Sequence, residues 1–512
     1  MKNQIKVGAI IAYTNIFLNM FISVFMTPFI IGKLGDGEYG VYKIVTSFSA
    51  QLGIISFGIA SLVARNVVFY DTKGQKKEKE NFLFMAEIES AILAFLILTI
   101  GMVLFFMLDP MYQKSLTPNE LSLVKQLYIF LVLNVAVTVL CDAFTGMIKA
   151  HEKFIVSNLI STLRFVLRLV TLIILLNAGV GAIGIVLTDL LISVLVLTLS
   201  FVYSRFVLKE KAKFHYIDKI MLRTGLAFSF AICLQAIINQ INNNMDNVIL
   251  GAMKGTAVVT VYSVALTIYS IFNSFVTVIG SMYGPRATKL VAKGANPDEL
   301  TTFVIQPARI QAMVALLGIV GFVLLGRNFI LLWLGEGFID VYKITLILII
   351  PVVLPLIESV TNTILDAKLL RMTRSLILIC MCGINIILSI FLVSKIDYIG
   401  AAYGTAISLI VGHGIIMNIY LQKRIGLNIP RMFLGIFKGV LPCGIISGLV
   451  CIPVIFLPNS WIWFITKAII VIALYAVVMY FFGMNTDEKN SVKCILYKLI
   501  PIKNKNSNNG AV

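Results

Sequence analysis

The sequence predicts an all-α, polytopic membrane protein with about 14 transmembrane helices. Three observations support this fold class: 59% of the 512 residues are hydrophobic, 13% are charged, and the mean hydropathy is +0.96. Soluble domains contain roughly 45–50% apolar and about 25% charged residues. Because one spanning helix needs about 20 apolar residues, fourteen helices would use nearly the whole hydrophobic fraction. Little chain remains for a catalytic domain outside the bilayer.

The basic residues alternate between the polar segments that connect the apolar runs. Eight segments hold 30 Lys and Arg residues, the intervening segments hold eight, and four more lie inside spans. By the positive-inside rule this pattern places both termini in the cytoplasm and requires an even number of spans. The predicted spans are 7–31, 44–64, 84–108, 124–148, 155–177, 180–204, 224–252, 257–283, 303–326, 341–367, 373–394, 397–422, 433–457 and 460–483.

Short motifs recur about 220 residues apart in the chain. Val41-Tyr42 reappears as Val261-Tyr262, and Gly181-Ala182 reappears as Gly400-Ala401. A repeat of six spans keeps its orientation, so the two copies would form two lobes related by an axis along the membrane normal, facing a central cleft. The predicted division is a six-helix lobe at 1–205, a basic cytoplasmic linker at 206–223, a second six-helix lobe at 224–425, an extra transmembrane pair at 430–483 and a cytoplasmic tail at 484–512.

Four segments resemble those of a known transporter group: PFIIGKLGDGEYGVYKIV, GMIKAHEKF, NNNMDNVILGAMKGTAVVTVYSVA and FILLWLGEGF. They are similar to polysaccharide transporters of the multidrug/oligosaccharidyl-lipid/polysaccharide exporter superfamily, which includes the Wzx-type O-antigen flippases. The resemblance extends over about residues 1–425. It implies alternating access and a polyprenyl-pyrophosphate-linked oligosaccharide as substrate, of O-antigen, capsule, exopolysaccharide or teichoic type.

The same resemblance implies where the protein works and with what. The expected location is the bacterial cytoplasmic membrane. The expected partners are the lipid-linked oligosaccharide, the phospholipid bilayer, and the glycan polymerase and chain-length machinery. No nucleic acid partner is expected, because cytoplasmic loops account for the net charge of +18.

Two arginines inside predicted span 5 are the strongest candidates for substrate binding. A charge near the middle of the membrane costs on the order of 2.5–3.5 kcal/mol and usually faces an interior cavity. Arg164 and Arg168 are four residues apart and therefore share one helix face. A guanidinium fork suits a diphosphate because it forms two parallel, charge-assisted hydrogen bonds. The alternative is a structural ion pair with Asp189, and both hold if Asp189 keeps an arginine in place until substrate displaces it.

Three further charges are candidates for the substrate path. Asp246 ends a polar stretch of span 7 and is expected either to bind a cation or sugar hydroxyls, or to be solvated at the outer interface. Arg65 and Arg309 lie near cytoplasmic span ends, where a pyrophosphate would first arrive. The alternative for both arginines is ordinary positive-inside anchoring.

A proline-containing span holds the last candidate. Pro351 and Pro355 are expected to kink span 10 and to free backbone carbonyls just before Glu358. The kinked carboxylate suggests a hinge with a proton or sodium site. The alternative is a packing kink in which Glu358 pairs with an arginine.

Missing motifs exclude several function classes. No GxxxxGK[ST] loop occurs, so ATP hydrolysis is not expected. The energy for transport is expected to come from a proton or sodium gradient or from substrate supply, without a bound cofactor. The seven cysteines form no CxxC pair and the three histidines are far apart, which argues against a metal site. We therefore predict a transporter and not an enzyme.

Three rival functions remain open, one of which is a non-transporting scaffold that recruits glycan enzymes through its cytoplasmic loops. A cation-coupled multidrug antiporter of the same superfamily would need an acidic cleft, which Arg164 and Arg168 argue against. A membrane-embedded polysaccharide polymerase or acyltransferase would need a large polar loop. The longest outer segment, at about 109–123, is too short for one.

Overall fold

The computed structural model describes residues 2–53, 59–151, 153–216, 244–368 and 370–490. These residues are almost entirely helical, and no β-strand occurs among them. The apolar sequence explains this, because a chain in lipid must satisfy its backbone hydrogen bonds within each segment. The predicted all-α class is confirmed.

The first part of the described chain runs through seven helices. They are α1 Lys2–Leu52, α2 Ile59–Thr72, α3 Lys76–Tyr112, α4 Pro118–Ala150, α5 Phe154–Asn177, α6 Gly181–Val202 and α7 at 244–254. A π-helical turn extends α6 to Val207. α4 begins with a capping box, in which Thr117 and Glu120 satisfy each other's backbone N–H groups.

The later part contains two long helices followed by shorter ones. They are α8 Thr256–Ala292, α9 Pro297–Leu334, α10 Asp340–Ile349, α11 Val353–Ile357, α12 Ser359–Ala367, α13 Arg371–Ile396, α14 Ile399–Leu409, α15 Asn418–Ile425, α16 Ile429–Phe437, α17 Val440–Cys451 and α18 Trp461–Val478. A π-helix over Ile410–Met417 joins α14 to α15. The result is a chain whose later spans contain several breaks in regular α-helix.

The expected loop between the first two spans is reduced to a kink. Helical structure runs from Lys2 to Leu52 with a single non-helical residue, Gly35, at φ 75° and ψ 168°. Glycine adopts this positive φ without steric penalty. The second predicted span therefore begins close to Gly35, several residues before the predicted position 44.

Ten of the described helical segments are long and apolar enough to cross a membrane. They coincide with ten predicted spans, numbers 3–6, 8, 9 and 11–14. Spans 1, 2 and 7 lie partly or largely outside the residues whose side chains are described. Span 10 is divided into α10, α11 and α12 by breaks at 350–352, which contain Pro351, and at Glu358, three residues after Pro355, which confirms the predicted kink. The total of fourteen stays a prediction.

Two compact units can be distinguished. The first comprises residues 1–271, 343–348 and 370–412, and the second comprises 272–342, 349–369 and 413–512. Within the first unit α4 packs against α1, α2, α3 and α6. Within the second, α9 packs against α11, α16, α17 and α18. The division into two six-helix lobes with a linker and an extra pair stays a prediction.

A close helix contact in the first unit depends on glycine. A Cβ atom added to Gly146 on α4 would lie 2.7 Å from the carbonyl oxygen of Ala60 and 2.8 Å from Cβ of Val63 on α2. Small residues allow such approaches where transmembrane helices pack. We conclude that Gly146 sets the spacing of α2 and α4.

The beginning of the predicted basic linker is anchored to the start of α3. Buried Glu210 accepts hydrogen bonds from Lys79 at 2.9 Å and lies 2.7 Å from Nε2 of His151. Lys79 also pairs with Asp71 at 2.7 Å. The possible ligand atoms of Asp71, His151 and Glu210 lie close enough together to hold a metal ion. The Lys79 ammonium already supplies positive charge there, so we assign no metal to this group.

Protonation of Glu210 is expected to release the linker. Burial favours a higher pKa for Glu210, but hydrogen bonds from His151 and Lys79 outweigh burial and lower its pKa below the ordinary value. A carboxyl group with a lowered folded pKa contributes stability above its unfolded pKa and loses that contribution as the pH falls through the folded value. We expect linker amides to exchange hydrogen faster below about pH 4, after correction for intrinsic rates.

The variant Glu210→Gln tests this at neutral pH, because it imitates the protonated side chain. It should show the faster exchange at pH 7, measured by mass spectrometry. Glu336→Gln, an exposed change of the same chemistry far along the chain, is the control. Unchanged linker exchange in Glu210→Gln would contradict the anchoring role.

Candidate functional site

Arg168 lies at the centre of a polar contact among α5, α6 and α1. Its guanidinium Nε is 2.7 Å from Oδ1 of Asp189, and Nη2 donates to Oδ2 of Asp189 at 3.0 Å. Nη2 also donates to the hydroxyl of Tyr42 at 3.2 Å. The Arg168 side chain is 43% exposed while that of Asp189 is 15% exposed. The predicted ion pair with Asp189 is confirmed for Arg168, and the guanidinium keeps an open side.

The open side of Arg168 faces a cavity of about 150 Å³ in the first unit. Lys43, Tyr39 and Tyr42 line the same cavity. The Lys43 ammonium lies 5.2 Å from the centre of the Tyr39 ring, a cation–π contact. Since Asp189 balances only one of the two cations, we infer that this cavity, hereafter the Arg168 cavity, attracts anions.

Arg164 faces a different cavity. Its Nη2 donates to the hydroxyl of Ser193 at 3.4 Å, and Lys149 and Asp142 contribute to the same cavity of about 210 Å³ between α4, α5 and α6. The five hydroxyl groups that line it belong to Thr138, Thr145, Ser157, Ser161 and Ser193. The shared helix face thus does not bring Arg164 and Arg168 to one cavity. Both contact α6, but the Arg164 cavity is lined by α4 and the Arg168 cavity by α1.

Asp246 lies in a cluster of hydroxyl groups. It is 3% exposed and accepts hydrogen bonds from Tyr262 at 2.6 Å, Thr405 at 2.9 Å and Ser389 at 3.5 Å. The Asn385 amide oxygen accepts from Thr405 and Ser389. The alternative of a merely solvated carboxylate is therefore wrong. The polar residues that precede it, Gln235 to Asn243, lie outside the described residues.

Arg309 is enclosed by the second unit. Its Nη1 donates to the carbonyl oxygens of Gly435 at 2.7 Å and Lys438 at 2.8 Å, and Nη2 donates to that of Gly483 at 2.9 Å. Nε donates to Glu488 at 2.8 Å. The side chain is 3% exposed. With all three nitrogens engaged, Arg309 connects α9 to α16 and to the chain after α18, and we leave it out of the proposed substrate site.

Two predicted residues remain. Arg65 lies exposed on α2. Glu358 lies at the junction of α11 and α12, is fully buried, and pairs with His413 at 2.8 Å. The partner of Glu358 is therefore a histidine and not the arginine of the alternative prediction.

Sequence reasoning missed several members of these clusters. From the sequence alone, Lys43 is one of the eight basic residues of the intervening segments, and His413 is one of three histidines that lie far apart in the chain. One signal was available: Tyr42 and Tyr262, related by the 220-residue repeat, each contact a charged centre, at Arg168 and at Asp246. The two tyrosines thus occupy matching positions in the sequence, but one contacts a cation and the other an anion.

Two solved transporter structures share this fold. "Lipid II flippase MurJ, inward closed conformation" is 17% identical, covers 96% of this chain and 99% of its own, and superposes with a TM-score of 0.71. "Inward-facing conformation of a multidrug resistance MATE family transporter of the MOP superfamily" is 17% identical, covers 80% and 94%, and gives 0.59. At these identities the likeness shows a common fold of polytopic helical transporters.

The sequence comparison is more specific. "Uncharacterized membrane protein EpsK" of Bacillus subtilis (strain 168) is 22% identical over 493 residues, which are 94% of this chain and 95% of that protein. Residues 6–291 match the family described as "Polysaccharide biosynthesis protein". The match covers more than half of the chain and confirms the resemblance seen in the sequence motifs. This multi-pass membrane protein therefore belongs to the polysaccharide biosynthesis protein family.

Proposed function

We propose that this protein is a flippase that moves a polyprenyl-pyrophosphate-linked oligosaccharide across the bacterial cytoplasmic membrane by alternating access. The family assignment supports a role in polysaccharide synthesis, and the fold shared with a lipid II flippase supports a lipid-linked substrate. Both termini are proposed to be cytoplasmic, as the loop charges predict. The observation that carries the proposal is the Arg168 cavity.

The Arg168 cavity has the chemistry that a diphosphate requires. Arg168 and Lys43 place two cations around a space of about 150 Å³, with Asp189 as the single paired carboxylate. A charge within a span is unfavourable by on the order of 2.5–3.5 kcal/mol, and Asp189 pairs with only one of these two cations. A bound pyrophosphate would offset this, because the guanidinium fork and the Tyr42 hydroxyl donate to its oxygens. Asp189 holds the fork in place before substrate arrives.

The second cavity supports the same substrate class. It combines Arg164 and Lys149 with five hydroxyl groups and one carboxylate. Sugars and phosphates are recognised by such mixed donors and acceptors. Cationic drugs would find an arginine and a lysine in each cavity, which disfavours the multidrug antiporter. A transport role also accounts for the charged cavities between the helices, so no enzymatic reaction is needed to explain them.

A cation gradient is proposed to drive the cycle through Asp246. The donors around it are all oxygens, from one carboxylate, the hydroxyls of Tyr262, Thr405 and Ser389, and the amide of Asn385. Hard cations such as sodium prefer this type of ligand, and a proton would bind the carboxylate directly. The oxygen atoms around Asp246 are therefore suited to bind the sodium ion or proton that would drive the cycle.

Depletion of the protein tests the proposed function. We expect one complete polyprenyl-linked oligosaccharide to accumulate on the cytoplasmic face, detected by mass spectrometry of extracted lipids. The accumulating species would also identify the glycan. No accumulation, together with altered resistance to cationic drugs, would refute the flippase proposal and favour an antiporter.

Replacing Asp246 with asparagine is expected to stop coupled transport while the protein still folds. The amide has the size of the carboxylate and still accepts hydrogen bonds, but it lacks the negative charge that attracts a cation. We expect accumulation of the lipid-linked oligosaccharide at normal protein levels, and a loss of any sodium-dependent rise in melting temperature of the purified protein. The control is Thr260→Val, at a buried hydroxyl that donates to the backbone carbonyl oxygen of Asp36. Normal transport by Asp246→Asn would contradict the coupling role.

A further inference from the structure

The second unit contains a buried carboxylate–imidazole pair that the proposed function does not use. Glu358 is 0% exposed, and its Oε2 lies 2.8 Å from Nδ1 of His413. Both residues lie in predicted spans, numbers 10 and 12. Buried ionisable groups in membrane spans are rare and usually serve ion pathways or proton relays.

Both members of the pair lie at breaks in the helices that carry them. Glu358 separates α11 from α12, after the turn at 350–352 that follows from Pro351. His413 lies in the π-helix Ile410–Met417. Single π-helical segments often occur at functional sites, and discontinuous spans are where transporters bind coupling ions. Two adjacent irregular segments thus hold one titratable pair.

The hydrogen bonding around the pair lacks one hydrogen. Oε1 of Glu358 has no partner, and neither has Oδ1 of the adjacent Asn418. The Nδ2 group of Asn418 already donates to the carbonyl oxygens of His413 at 2.8 Å and Gly414 at 3.2 Å, so the amide is oriented with its oxygen unsatisfied. Two buried acceptors without a donor are unfavourable by about 1–3 kcal/mol each.

A proton on the carboxyl group resolves this deficit. With Oε1 protonated, Glu358 gains an O–H group that the unsatisfied Oδ1 of Asn418 would be available to accept, while a neutral His413 would donate from Nδ1 to Oε2. The proton thus offsets the deficit at Oε1, and the pair carries no net charge in a low-dielectric interior. The proton comes from water and returns to water as an O–H bond forms and breaks.

Other titratable groups on the surrounding helices do not provide an ionic partner for Glu358. On α9, which packs against α11 and α12, Arg309 is paired with Glu488. On α12 itself, Asp366 lies eight residues beyond Glu358 and has an interaction of its own. On α15, which carries Asn418, the buried hydroxyl of Tyr420 has no hydrogen-bond partner and Lys423 is exposed. Among the described residues, His413 is therefore the titratable group that contacts Glu358.

We propose that Glu358 and His413 form a proton-binding site, separate from the Asp246 cluster, whose proton is taken up and released during transport. The binding of the proton follows from the pair itself, whereas its use in transport rests on the proposed function. Deprotonation would leave an unbalanced carboxylate at the break between α11 and α12. We infer that this charge biases the kinked span towards a second arrangement.

Infrared difference spectroscopy of the purified full-length protein tests proton binding without any substrate. A protonated carboxyl gives a carbonyl band separate from those of carboxylates. We expect this band at neutral pH in the wild type, its loss on titration to higher pH, and its absence in Glu358→Gln. His413→Gln should shift the pH at which the band is lost.

A matched pair elsewhere in the chain provides the control. Glu80 and His215 also form a carboxylate–imidazole contact, at 3.3 Å, but both are partly exposed and lie at the start of α3 and in the linker. Glu80→Gln should leave the band unchanged. Because Asp246 is itself a candidate proton site, the comparison is made in an Asp246→Asn background, where a band that survives in Glu358→Gln, or that Glu80→Gln removes, would overturn the proposal.

Lipid analysis in cells tests the use of the proton. Glu358→Gln at normal protein levels should accumulate the lipid-linked oligosaccharide to the level of depleted cells, and Glu80→Gln should not. If depleted cells accumulate it but Glu358→Gln lacks effect on both readouts, the proton site fails while the flippase stands. If Glu358→Gln removes the band but depleted cells accumulate nothing, the proton site stands and the flippase fails.

Discussion

Replacing Arg309 with alanine is expected to destabilise the second unit by about 3–5 kcal/mol, because it leaves a buried charge and carbonyl groups without partners. Glu488 is 7% exposed and would lose its cation, and the carbonyl oxygens of Gly435, Lys438 and Gly483 would lose their donor. We expect a lower melting temperature in detergent, followed by tryptophan fluorescence, and a reduced amount of protein in membranes.

Two variants give this experiment its resolution. Arg309→Lys keeps the charge but cannot reach all the acceptors, so its stability should be intermediate. Arg327→Ala, at an exposed arginine of the same helix, should change stability little. If Arg309→Ala were as stable as the wild type and failed only in transport, Arg309 would bind substrate, as the sequence alone allowed.

Replacing Arg168 with alanine is expected to weaken substrate binding by about 2 kcal/mol, roughly 30-fold, because it removes charge-assisted hydrogen bonds. The lipid-linked oligosaccharide should then accumulate at normal protein levels. Arg168→Lys retains the charge without the fork, so accumulation should be partial. Mass spectrometry of extracted lipids measures both effects.

A double variant separates substrate binding from a structural ion pair. If Arg168 only neutralises Asp189, then Arg168→Ala combined with Asp189→Ala should restore function, since no unpaired carboxylate remains. If Arg168 binds the pyrophosphate, the double variant stays inactive. We expect the second result, because the Arg168 side chain is 43% exposed and lines the cavity. Restored function would contradict the proposed site.

Hydropathy and loop charge were sufficient to predict the helical spans, because the bilayer demands long apolar segments with internally bonded backbones. Ten segments coincide with predicted spans, and the break at Pro351 was predictable from the missing N–H group. The connection at Gly35 was not, because a kink and a short loop contain the same residue types. Boundaries set by a single φ angle leave no periodic signal in the sequence.

Candidate charges were also visible, because any arginine or carboxylate within an apolar run is conspicuous. Most of the residues that pair with these charges were not visible in the sequence. Arg168 with Asp189 was foreseeable from similar depth in consecutive spans. Glu358 with His413 joins residues 55 apart in sequence, and Asp246 with Thr405 joins residues 159 apart.

The sequence by itself determined the membrane class, the family and the residues too polar for lipid. Only the tertiary structure decided which of those charges are satisfied and which face a cavity. Arg309 and Arg168 are both arginines within apolar helices, yet one is enclosed by carbonyl groups and the other opens to a cavity. The physical reason is that solvation and pairing depend on neighbours from distant parts of the chain, whereas span formation depends on contiguous residues alone.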